Sequence, residues 1–303
     1  MTARDRATAF VPFAALIAGA VAIAFAPILV RLSEVGPIPT AFYRLALAVP
    51  FLLLMSQPRG RGRRAETSPV PRSDWPLFLL AGAFFAADLA SWHWSIKLTS
   101  VANATLLANV APIFVTLASW LIFNERVTAA FLAGLILSIG GVTALVGGGS
   151  ALAAGNLAGD ALGLFTAIVY AGYLMSIGRL RRTHSTARIM TVSSGLSALM
   201  LLPLSLVSGE VLFAATLTGW LVLVALALIC QAGGQNMIAY ALRHVPVAFS
   251  SVALLVQPVV AAGLAWFLFG EHLGPLQIAG AVLVLAGIVI CRRAGRAPRL
   301  PQG

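Results

Sequence analysis

Acidic side chains are scarce in this sequence: nine among 303 residues, against twenty basic ones. Lysine is almost missing as well, with Lys97 its one occurrence and arginine supplying the rest. Charged residues make up 10% of the chain, where soluble domains carry about 25%. Such a chain cannot cover a water-facing surface with polar groups. Its two cysteines, Cys230 and Cys291, form no CxxC pair, so neither a disulfide framework nor a thiolate metal site is expected. Both read as small packing or lipid-facing residues. The sequence also lacks HExxH, GxSxG and GxxxxGK[ST] motifs. "GGGS" at 147–150 has no lysine to make it a phosphate loop and reads as a connector. The expectation is therefore no enzyme, no cofactor and no metal.

What is present is apolar. Sixty per cent of residues are hydrophobic and the mean hydropathy is +0.95. Runs of about twenty apolar residues, each able to cross the roughly 30 Å hydrocarbon layer as a helix, fall at 10–30, 37–56, 75–96, 101–122, 127–147, 159–178, 189–208, 216–240, 247–268 and 274–291. Runs such as "LVLVALALIC" do not alternate as barrel strands would, so the spans are helical. The first of them exceeds the 7–15 residues of a signal-peptide core, and Pro27 follows its one cleavage-like "AFA"; it is kept as a mature helix.

The net charge of +11 is distributed by side. With the N-terminus in the cytoplasm, all basic residues except Arg31, Arg44 and Lys97 fall on the inner face. That is the positive-inside pattern, which places both termini in the cytoplasm and removes the case for nucleic acid as a partner. The partners expected are the bilayer and a small-molecule substrate; nothing asks for a second copy, so a monomer is expected. The arginine preference suggests a bacterium, hence an inner-membrane location.

"WLIFNERV" at 120–127 and "WFLFGEHL" at 266–273 share Trp, Phe and Glu at an offset of 146 residues. The same offset pairs Pro112 with Pro258, Gly134 with Gly280 and Gly141 with Gly287, and it sets Trp94 on Tyr240 and Lys97 on Arg243. The chain reads as a duplication: 1–150 a first five-helix repeat and 151–303 a second. An odd helix count inverts one repeat relative to the other. The fold class expected is an all-α polytopic membrane protein, ten transmembrane helices in two inverted five-helix repeats around a central cavity. Secondary transporters of this plan bind substrate near the midplane between the halves.

The segments "PIFVTLASWLIFNERVTAAFLAGLILSIGGV" and "PVVAAGLAWFLFGEHLGPLQIAGAVLVLAGI" resemble the two signature segments of the EamA type in the drug/metabolite transporter superfamily. Within it the chain is most similar to the YddG-type exporters of aromatic and other neutral amino acids. The resemblance implies alternating access and export. Small multidrug pumps resembling half this architecture depend on a first-helix glutamate, and the first span here has none.

Polar and aromatic residues on oily helices mark the candidate pathway. They are Tyr43 and Arg44; Asp88, Trp92 and His93; Asn109; Tyr170 and Tyr173; Gln231, Gln235 and Tyr240; and Gln257. Asp88 is the one acid deep in a span, and intramembrane ionisable groups are functional candidates; pairing with His93 or Arg44 as structural glue is the alternative. The glutamines serve either substrate contact or interhelical bonding. Pro112 and Pro258 are candidate hinges, each unable to donate to the carbonyl four residues back, Ala108 and Leu254. Glu125 and Glu271, each ahead of a new helix, read as helix-junction anchors. Aromatic rings, amides and few charges suit a neutral or zwitterionic solute such as an amino acid. Drugs, nucleobases or other metabolites are the alternative cargo, and a passive channel or a membrane enzyme the alternative class.

Overall fold

The computed structural model describes residues 3–56, 70–99, 101–123, 127–147, 156–270 and 272–294. The repeat boundary at 150/151 and both junction glutamates, Glu125 and Glu271, lie outside them. Among the described residues there is no strand, and ten helical segments are long and apolar enough to cross a membrane. They are span 1 (Phe10–Arg31), span 2 (Pro37–Ser56), span 3 (Trp75–Leu98), span 4 (Asn103–Ile122) and span 5 (Ala129–Gly147). Span 6 (Leu157–Leu180), span 7 (Thr186–Val207), span 8 (Leu217–Ala241), span 9 (Val247–Leu268) and span 10 (Pro275–Ala294) follow.

Spans 6 and 7 start earlier than hydropathy predicts, because their first turns are polar and capped. Asn156 accepts the N–H of Ala158 at 3.0 Å and Ser185 that of Arg188 at 3.3 Å. Thr216 likewise accepts from Gly219 at 3.0 Å to open span 8. Such caps satisfy amides that a helix start leaves free.

Four spans are interrupted, each just ahead of a proline. The breaks lie at Ala24–Phe25 before Pro27, Leu47 before Pro50, Asn109–Val110 before Pro112, and Leu254–Leu255 before Pro258. A proline has no N–H to donate and its ring crowds the carbonyl four residues back, so the helix yields there. Pro12 and Pro203 sit inside continuous helices, so proline alone does not dictate a break. At span 9 the expected free carbonyl of Leu254 is reclaimed by the N–H of Gln257 at 2.9 Å. Span 8 departs from the α-helix without a proline: Leu226–Gln235 is π-helical.

The packing repeats as the sequence does. Span 3 lies on span 6 and span 8 on span 1; span 4 on span 6 and span 9 on span 1; span 2 meets span 7, and span 5 meets span 10. Exchanging the halves turns this set of contacts into itself. The span 5–span 10 seam shows how. A Cβ on Gly141 would lie 2.7 Å from the carbonyl oxygen of Gly280, and one on Gly134 would lie 2.8 Å from that of Gly287. The 146-residue offset converts each pair into the other with the helices antiparallel, as a two-fold axis between inverted repeats requires. Small residues let the backbones touch, and the thiol of Cys291 donates to the Phe131 carbonyl at 3.3 Å across the same seam. Both cysteines are buried packing residues rather than lipid-facing ones.

Each end of the bundle carries a latch between the halves. At the end the arginines mark as outer, Glu34 accepts from the amides of Ala215 and Thr216 at 2.9 and 3.0 Å and from the Thr216 hydroxyl. Glu210 there accepts from the Ile38 amide at 2.9 Å and pairs with Lys97. At the other end His184 meets Asp74 of the first half at 2.8 Å, while within the second half buried Arg181 donates to the carbonyls of Ala239 and His184 at 3.0 and 2.5 Å.

Candidate functional site

Three of the four interruptions, in spans 1, 4 and 9, adjoin one cavity. It encloses about 180 Å³ and is lined from spans 1, 2, 3, 4, 6, 8 and 9. Drug-sized ligands occupy roughly 300–1,000 Å³, so this space suits a small metabolite. The breaks put backbone at its wall. Ala24, Ala26 and Pro27 line it from span 1, Ala108 and Asn109 from span 4, and Gln257 and Pro258 from span 9.

Two ionic side chains line it, Asp88 and Arg44, and both are nearly buried, at 9% and 7% exposure. They are of opposite sign, yet among the described residues no hydrogen bond or ion pair joins them, and the Arg44 Nε has no partner. The alternative pairing of Asp88 with His93 is not made either. His93 turns its Nδ1 to the Leu89 carbonyl at 2.5 Å, its ring meets Trp92 edge-on, and it does not line the cavity. A carboxylate and a guanidinium sharing one low-dielectric space attract each other more strongly than in water. Left apart, they present an acceptor and a donor fork to whatever enters.

Of the residues singled out from the sequence, Arg44, Asp88, Trp92, Asn109, Tyr170, Gln235, Gln257 and Pro258 come together around the cavity. The others find different places. Tyr43 packs edge-on against Trp220, with ring centres 5.3 Å apart. Tyr173 is stacked on Phe85 at 4.3 Å and buried in the core. Gln231 donates to the Ser194 hydroxyl at 2.9 Å and so ties span 8 to span 7. Tyr240 is 37% exposed beside His244 at the inner end. Pro112 lies one turn beyond the cavity wall and interrupts span 4 without lining the space.

Sequence reasoning missed Phe85 and Thr166. Thr166 lies one turn from Tyr170 and shares a 2.8 Å hydroxyl–hydroxyl contact with Ser91 of span 3. The four-residue spacing to Tyr170 was the available signal. The π-helix places Gln231 against span 7 and Gln235 in the cavity; such segments are frequent at functional sites. Among the described residues no cluster of His, Cys, Asp and Glu could hold a metal ion.

Comparison with known proteins gives the same plan. A transporter of Archaeoglobus fulgidus with no assigned substrate is 31% identical over 224 residues, 74% of this chain and 78% of the relative. The pseudopaline exporter CntI of Pseudomonas aeruginosa is 26% identical, covering 83% of this chain and 84% of that protein. A probable terminal-alkyne amino-acid exporter of Streptantibioticus cattleyicolor is 28% identical, covering 90% and 89%. One crystal structure superposes with a TM-score of 0.78 over 92% of this chain and 98% of its own, at 18% identity, which is a likeness of fold. The EamA-like transporter family matches twice, over residues 10–147 and 157–293. One match per repeat accounts for the ten helices, and this multi-pass chain belongs to the EamA-like transporter family.

Proposed function

We propose that this transporter exports small zwitterionic solutes, amino acids and amino-acid-like metabolites, across a bacterial inner membrane by alternating access, with both termini in the cytoplasm. The observation that carries the reading is the separated pair of Asp88 and Arg44 in a small cavity otherwise lined by aliphatic side chains, rings, amides and hydroxyls. A zwitterion offers an ammonium to Asp88 and a carboxylate to Arg44, while Trp92, Phe85 and Tyr170 meet its apolar body. An amine lacking a carboxylate would leave the Arg44 charge uncompensated, and a large dye would exceed the space. The direction agrees with the names of two relatives, a probable terminal-alkyne amino-acid exporter and a pseudopaline exporter.

Uptake into everted membrane vesicles tests the reading. Labelled aromatic and aliphatic amino acids should accumulate saturably and show trans-stimulation, as a carrier demands and a pore does not. Uptake of cationic dyes with no amino-acid uptake would overturn it.

A further inference from the structure

A second cavity, of about 240 Å³, lies at the inner ends of spans 4 and 6 and the connection between spans 8 and 9. Arg179, Arg182, Arg243 and His244 stand around it with Ser119 and Val247. Among the described residues no carboxylate lines it. None of the three guanidinium groups has a hydrogen-bond or ion-pair partner among them either. The repeat supplies a comparison within the molecule: Lys97 holds at the outer end the place Arg243 holds at the inner one, and Lys97 is neutralised by Glu210. Among the described residues Arg243 has no such carboxylate. His244, outside the spans, is held below the ordinary histidine value by burial first and then by the charges of Arg243 and Arg181.

Polar side chains lie along the helices between this cavity and the central one. Span 4 carries Thr105, Asn109, Thr116 and Ser119 on one face at helical spacing. Thr105 and Asn109 line the central cavity and Ser119 the basic one. Thr116, between them, is buried with a hydroxyl that bonds nothing. Span 9 repeats the pattern: Val247 lines the basic cavity, Gln257 the central one, and Ser250 between them is fully buried with an unpartnered hydroxyl. Spans 4 and 9 pack together through the segments that carry these two hydroxyls. Buried polar groups are ordinarily bonded, so two unbonded ones along one seam suit a passage for a polar solute.

We infer that the basic cavity is the cytoplasmic vestibule of the transport path, where Arg179, Arg182 and Arg243 capture the carboxylate of a solute bound for the span 4–span 9 seam. The inference rests on the export reading above. The positive-inside pattern needs arginines on this side, but it does not need three of them to converge on a cavity that no described carboxylate lines. A cleft lined by one sign of charge concentrates the opposite sign, and salt screens the effect.

The test uses everted membrane vesicles with two probes, L-phenylalanine and L-phenylalaninamide, which share a body but not a carboxylate. The R179Q/R182Q/R243Q variant should raise KM for L-phenylalanine by about threefold or more, leave kcat unchanged, and leave unchanged the amide's uptake, which is already low in the wild type because Arg44 stays uncompensated. The R179K/R182K/R243K variant keeps the charge, and with it the insertion signal, and should restore KM. Wild-type KM for L-phenylalanine should also rise between about 0.01 and 1 M salt, over which the Debye length falls from roughly 30 to 3 Å. Wild-type transport with a KM indifferent to both salt and the glutamine variant overturns the vestibule alone. So does a KM effect that vanishes in liposomes free of anionic lipid, which assigns the cavity to lipid phosphate. Wild-type protein that moves neither probe overturns the export reading and the vestibule with it.

Discussion

Spans 3 and 6 and their counterparts, spans 8 and 1, hold equivalent places in the two repeats and are made of different materials. Between spans 3 and 6 stand the Ser91–Thr166 contact, the Phe85–Tyr173 stack, and Asp88 and Tyr170 at the cavity. Between spans 8 and 1 the contact is nearly bare backbone, with a Cβ on Gly19 falling 2.7 Å from the Gly234 carbonyl oxygen. The 146-residue offset sets Asp88 on Gly234 and Tyr170 on Ala24. Of these two equivalent pairs, spans 3 and 6 bring Phe85, Asp88, Trp92, Thr166 and Tyr170 to the cavity. The other gained close approach and a π-helical stretch, which turns Gln235 into the same space.

That division of labour can be broken from either side. The largest effect should come from Gly234→Val, whose Cβ meets Ile23 Cγ1 at 2.7 Å and the Gly19 carbonyl oxygen at 3.0 Å. With backbone as the obstacle, the cost should exceed the about 1–3 kcal/mol usual for overpacking, visible as a lowered thermal midpoint or loss of monodisperse protein in detergent. Asp88→Asn should do the reverse: the thermal midpoint stays close to wild type while kcat/KM in vesicles falls about tenfold or more, worth roughly 1.4 kcal/mol. Intact transport in that variant would remove Asp88 from the pathway.

The latches sharpen the comparison between the two ends. Glu34 lies outside the spans, and its carboxyl is held below the ordinary glutamate value, chiefly by the Thr216 hydroxyl and then by the Thr216 amide. A lowered folded-state value means that its contribution is complete above the unfolded value and is lost only as pH falls through the folded one. Amide exchange at Ala215 and Thr216, corrected for intrinsic rate, should stay protected at mildly acidic pH and open only below the usual glutamate range. Glu34→Gln should remove that pH dependence. The smallest effect is expected of Ser91→Ala, which removes one hydroxyl contact between spans 3 and 6 and should cost about 1 kcal/mol by chemical denaturation.

Span positions were legible because lipid imposes length and hydropathy on every crossing segment. The inverted repeat was legible from a few residues that apolar drift does not produce, such as Trp120 with Trp266. Side-chain partners were not. Tyr173 and Gln231 carry the same groups as Tyr170 and Gln235, and Tyr43 stands next to Arg44 in sequence, but they spend them on Phe85, Ser194 and Trp220. A helical face can be read from spacing, whereas the identity of the helix opposite depends on tertiary packing. The π-helix leaves no proline to announce it, and the register of Gln231 and Gln235 depends on it.

The four glycines between spans 5 and 10 limit how the halves can rearrange. Because each pair is the other's image, the joint is self-complementary in the manner of a two-fold dimer interface. A slide of one helix along the other would lose Gly134–Gly287 and Gly141–Gly280 together. The joint therefore resists shear, and its touching backbones hold spans 5 and 10 at a fixed spacing.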